Sequence, residues 1–88
     1  LQDRLKKFYF AVDTPEGLNL REEPGLKSRA VDLLPFDTMG EILEWKDQEE
    51  LIQNKKGFWI RINCNQRQGW IFSGFLTIDH DLENLKNR

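Results

Sequence analysis

With 88 residues, the chain has room for one small hydrophobic core, since domains of this size bury only about 60 to 70% of their unfolded surface. Thirteen Lys and Arg against fifteen Asp and Glu leave a formal charge of −2, which excludes a broad attraction to phosphate backbones or anionic lipid, so neither nucleic acid nor membrane insertion is expected. A single cysteine, Cys64, excludes an internal disulfide and a cysteine metal cage.

The first stretch, residues 1–7, is polar and of mixed charge, unlike a signal peptide, and reads as an N-terminal linker. A first residue of Leu1 with no methionine fits a processed product or a piece of a longer protein. Strand composition follows at Phe8 to Val12, Leu18 to Arg21, Ala30 to Leu34, Glu41 to Trp45, Phe58 to Ile62 and Gly69 to Phe72. In Leu18-Asn19-Leu20-Arg21 and in Ile60-Arg61-Ile62 every second residue is apolar, so one face of each strand points into a core.

Turn chemistry separates these runs. Asp13-Thr14-Pro15-Glu16-Gly17, Glu22-Glu23-Pro24-Gly25 and Asn54-Lys55-Lys56-Gly57 each supply a proline of fixed φ or a glycine able to take positive φ. Within the long connection from Lys46 to Gly57, Leu51-Ile52 predicts a hairpin extension, a protrusion suited to shaping a ligand groove. Near the end, Ile78, Leu82 and Leu85 recur at helical spacing, but residues 79–88 are otherwise polar and read as a tail: a linker or a marginal helix. Many short strands with frequent turns predict a small all-β fold over residues 8–78, and a barrel closes its edges at this size.

From Leu18 to Leu76 the sequence resembles the bacterial Src-homology 3 family. Leu18-Asn19-Leu20-Arg21 followed by Pro24-Gly25 looks like the family's opening signature, and Val31 with Leu34-Pro35-Phe36-Asp37-Thr38 like the next strand and its turn. Trp59-Ile60-Arg61-Ile62, a connection from Asn63 to Gln68, and then Gly69-Trp70-Ile71 match the family's most specific segment. Ser73-Gly74-Phe75-Leu76 resembles the helical turn and last strand that close the barrel. Asp37 stands where the family usually has glycine, and Gly40 where an inward apolar residue is usual. The resemblance implies an SH3-like barrel of five to seven short antiparallel strands, with an extended hairpin and a short closing helical turn.

The wider superfamily implies a shallow aromatic groove, for which Trp59, Trp70, Phe72 and Phe75 stand at the nearest positions, with Trp45 at the start of the long loop as a further candidate. Aromatic rings give large contact area at low entropy cost and accept a proline ring, a sugar face or a cation. The competing reading puts the same rings in the core. Arg21, Glu22 and Glu23 flank a loop that in the superfamily reads ligand charges, against the alternative of a solvated face. With Tyr9 the only tyrosine, the paired-tyrosine grip on proline-rich peptides is missing.

Nothing in the sequence points to catalysis, a metal or a cofactor. His80 lies in the tail, away from Cys64, so position suggests no Cys-His pair. Three consecutive residues, Asp79-His80-Asp81, cannot easily all face one ion, and no phosphate-cradling glycine loop occurs. The expected function is a non-catalytic binding module. What the resemblance implies is a cell-wall peptide or glycan as ligand, in the cell envelope or periplasm. The alternatives are a protein-interaction scaffold docking a peptide or neighbouring domain, and a structural spacer.

Overall fold

A computed structural model describes residues 7–88; residues 1–6 of the expected linker lie outside the described residues. Nine strands form: β1 (Phe8–Val12), β2 (Leu18–Arg21), β3 (Ala30–Leu34), β4 (Met39–Trp45), β5 (Glu50–Ile52), β6 (Lys55–Gly57), β7 (Trp59–Cys64), β8 (Arg67–Phe72) and β9 (Leu76–Asp79). A 3-10 turn at Ser73–Phe75 precedes β9, and a short helix, α1 (Leu82–Lys86), ends the chain. Seven strands make one antiparallel sheet in the order β3-β2-β8-β7-β4-β1-β9, and β5 and β6 make a separate hairpin.

The alternation read from the sequence builds the core. Phe10 and Val12, Leu20, Leu34, Ile42, Ile60 and Ile62 with Cys64, and Ile71 meet in a single cluster, and Leu76 and Ile78 of β9 pack against it. Residues from both edge strands, β3 and β9, thus reach one core, so the sheet curls. The closed barrel expected from the sequence is not formed, because no ladder joins β3 to β9. Instead the Pro35–Thr38 turn hooks the end of β3 to β1: Val12 N–H donates to Thr38 O at 2.9 Å and Asp37 N–H to Val12 O at 2.8 Å. Asp37 takes φ +71° there, the left-handed conformation that glycine adopts most readily.

Gly40 has a packing reason. A Cβ there would sit 2.6 Å from Asn63 O and 2.8 Å from the Phe10 ring, so Phe10 fills the volume that an inward apolar residue would otherwise take. Three local expectations are corrected. The turn before β6 is made by Gln53 and Asn54, at φ +51° and +65°, while Lys55, Lys56 and Gly57 form the strand itself. The connection between β7 and β8 is the two-residue turn Asn65-Gln66, at φ +52° and +68°, because pairing runs on to Cys64↔Arg67. Ile78 belongs to β9, not to a helix; α1 starts at Leu82 behind an Asp81 cap and buries Leu85 to 1% exposure.

Candidate functional site

Residues one step out of phase with the core build a second apolar group on the outer face of the sheet. Trp59 pairs with Phe72 across β7 and β8, while their neighbours Ile60 and Ile71 point inward. The Trp59 and Phe72 rings lie 5.5 Å apart between centroids, and Phe72 and Phe75 6.0 Å apart, so three rings form a continuous row. Elements from elsewhere in the chain cover this row. The β1–β2 connection, the loop after β2 and the β5–β6 hairpin tip close in around it, leaving a groove of about 320 Å³.

Trp59, Phe72 and Phe75 floor the groove, Leu26 and Leu33 form apolar walls, and Arg21 and Glu16 bring opposite charges. The β5–β6 hairpin contributes Ile52 and Gln53, meeting the expectation that this protrusion shapes a groove. Its base is fastened to the closing turn: Phe58 N–H donates to Ser73 Oγ at 2.8 Å and Ser73 N–H to Phe58 O at 2.9 Å. Trp59 is only 3% exposed, and its indole N–H has no acceptor. A buried donor without a partner carries a desolvation cost, so it stands out where every other buried side-chain polar atom among the described residues is satisfied.

Arg21 is first a loop holder. Its Nη1 donates to Leu26 O at 3.0 Å and Ser28 O at 2.8 Å, fixing the wall that carries Leu26. The Glu16 carboxylate accepts the Thr14 hydroxyl, and this bond, with Glu16's own backbone N–H, holds its carboxyl below the usual carboxylate range. A second chamber of about 350 Å³ adjoins the first, sharing Thr14, Glu16, Gln53 and Phe75 and adding Asp13 and Lys55.

The groove thus gathers four of the residues singled out from the sequence: Arg21, Trp59, Phe72 and Phe75. The other four lie outside it. Trp70 is on the same outer face but sits between Arg21 and Arg61 on the flanking strands, with Lys46 Nζ 5.4 Å from its ring centroid. Glu22 pairs with Arg29 at 3.5 Å, and Glu23 N–H binds Ser28 Oγ at 2.9 Å, so both belong to the loop's own framework. Trp45 lies at the end of β4, where it meets Phe8 and Phe58 edge-on at 6.4 and 6.5 Å, and Phe8 in turn meets His80. Among the groove residues that sequence reasoning missed are Thr14, Glu16, Leu26 and Leu33. For the two leucines the available signal was an apolar side chain placed in a loop or on the polar phase of a strand.

Among the described residues no group of three or more His, Cys, Asp or Glu is arranged to hold a metal, and no helix is long and apolar enough to cross a membrane. Burial pushes the Cys64 thiol up, aided by the Asp32 carboxylate, and its S–H faces Met39 O. No family model, no curated protein and no solved structure matches the chain.

Proposed function

We propose that this domain is a non-catalytic binding module of the bacterial SH3-like kind that holds a cell-wall peptide or glycan strand in the outer-face groove. One observation carries the reading: a row of three aromatic rings outside the central core lines a groove of ligand size, with Phe75 half-buried at its surface and Trp59 and Phe72 packed behind it. Flat rings suit the faces of sugar rings and the planes of peptide groups. The two adjoining chambers suit an extended polymer better than a compact metabolite. The Glu16 carboxylate, fixed by the Thr14 hydroxyl where the two chambers meet, suits the holding of a cation. The motif resemblance from Leu18 to Leu76 supports the cell-wall assignment.

The test is an amide NMR titration of the labelled domain with soluble peptidoglycan fragments, run beside proline-rich peptides. Binding shifts the amides of Trp59, Phe72 and Phe75 and the Trp59 indole N–H with cell-wall fragments only. Unchanged spectra throughout the fragment series would sink the assignment.

A second reading, docking to a neighbouring domain or protein, is favoured by a different surface. Phe8, Trp45, Phe58 and His80 form a chain of edge-to-face rings across β1, β4, the start of β7 and the end of β9, and Trp45 is 44% exposed. A protein partner would broaden resonances around Trp45 and leave the groove untouched.

A further inference from the structure

The second chamber has a charge arrangement that the aromatic floor does not explain. Its lining brings Glu16 and Lys55 together with Asp13, beside the Phe75 ring. Among the described residues, Glu16 and Lys55 make no ion pair with each other, although they line one space. Glu16 is tethered through the Thr14 hydroxyl, whereas the Lys55 side chain is exposed and reaches the chamber from the β5–β6 hairpin. Asp13 is already engaged, accepting from Thr77 Oγ1 at 3.0 Å.

A simple anion entering this space is opposed by Glu16 and Asp13, and a simple cation, though drawn by those carboxylates, is opposed by Lys55. A group carrying both charges close together is opposed by neither. We propose that the second chamber holds the zwitterionic end of a peptide, an amine and a carboxylate on one carbon, with the amine against Glu16 and the carboxylate against Lys55. This rests on the reading of the groove as a surface for cell-wall peptide. The rest of the ligand runs past Gln53 and Phe75, which both chambers share, onto the Trp59 and Phe72 rings. Glu16, held in place before binding, loses less entropy when the ligand's amine arrives.

The experiment uses the full chain and three stem tripeptides that differ only at the third residue. One carries diaminopimelate, whose side chain ends in an amine and a carboxylate on one carbon; one carries lysine, with the amine alone; one carries diaminopimelate acetylated on that amine. Titrations followed by NMR are expected to show the diaminopimelate peptide binding about three- to fivefold more tightly than either of the others, the range of an exposed ion pair. Lys55→Met removes its advantage over the lysine peptide, and Glu16→Gln removes its advantage over the acetylated one. Equal affinity for all three peptides overturns the zwitterion assignment and leaves the groove a peptide site. No shift of any groove resonance with any of the three overturns both.

Discussion

Gly57 is where the groove wall is fastened to the rest of the domain, and replacing it with alanine tests that joint. A Cβ at this position would lie 2.5 Å from Gly74 N, 2.8 Å from Ser73 Oγ and 3.0 Å from Gly74 Cα. Two of these three atoms are backbone, so no rotamer change relieves the clash. Either the closing turn or the β5–β6 hairpin must move, and moving either stretches the paired bonds between Phe58 and Ser73. Overpacking of this kind costs about 1–3 kcal/mol. In a domain of this size about 2 kcal/mol lowers Tm by about 8–16 °C. Circular dichroism melts of Gly57→Ala against the parent measure this directly. Groove affinity should fall as well, because Ile52 and Gln53 reach the groove from the same hairpin. A Gly57→Ala melt within a degree or two of the parent would refute the argument that close backbone approach fixes the hairpin.

Three further outcomes follow from the same coordinates. Leu85→Ala is expected to cost about 2–5 kcal/mol in urea denaturation, since this 1% exposed side chain is the one residue α1 buries and a five-residue helix does not persist without docking. Asp32→Ala is expected to produce concentration-dependent self-association in sedimentation runs. Its carboxylate caps the Leu33 N–H at 2.8 Å and pairs with Arg67 on an edge strand whose Val31 and Leu33 are exposed, and removing it bares a donor and an apolar edge. The Asp79 carboxyl is held below its ordinary value, chiefly by the Asp81 N–H, with Asn84 Nδ2 also donating. A depressed native value means that its support for the start of α1 is complete above the ordinary carboxylate pKa of about 4 and is lost as pH falls through the lower native value; an NMR titration that follows the Asp79 carboxyl carbon should place its midpoint below that of an ordinary aspartate, and a midpoint at the ordinary value would refute the role given to the Asp81 N–H.

The core was legible because it rests on period-two alternation. β1, β2 and β3 match the sequence-predicted spans residue for residue, β4 and β8 start two residues earlier, and β7 starts one residue later and ends two later. Turns were read less well, for a specific reason. Gln53, Asn54, Asn65 and Gln66 all take positive φ without being glycine, so a search for Gly and Pro passes over both two-residue hairpin turns. In the first case Gly57 drew the turn three residues too late, since that glycine is there for close packing against Gly74 and not for its φ. Ile78 shares helical spacing with Leu82 and Leu85, yet the ladder Phe10↔Ile78 holds it in β9. Tertiary pairing overrides so short a pattern.

The choice between core and site posed for the aromatic residues dissolves once both faces of the sheet are considered. Trp59 and Phe72 are almost as inaccessible as Ile60 and Ile71, at 3% and 2% exposure, yet they lie on the opposite face. An antiparallel sheet ordinarily keeps that face polar and wet. Arg61 and Gln68 do so further along β7 and β8, where Arg61 binds both Glu44 and Gln68. The switch from polar to aromatic along the same face occurs where the β5–β6 hairpin and the closing turn arch over the strands. Burial there is supplied by loops, which cover Trp59 and Phe72 almost completely and leave Phe75 half-buried beside the groove. The row of rings owes its place beneath the groove to the hairpin and the closing turn, so removing the hairpin's anchorage should weaken binding more than removing any single charge at the rim.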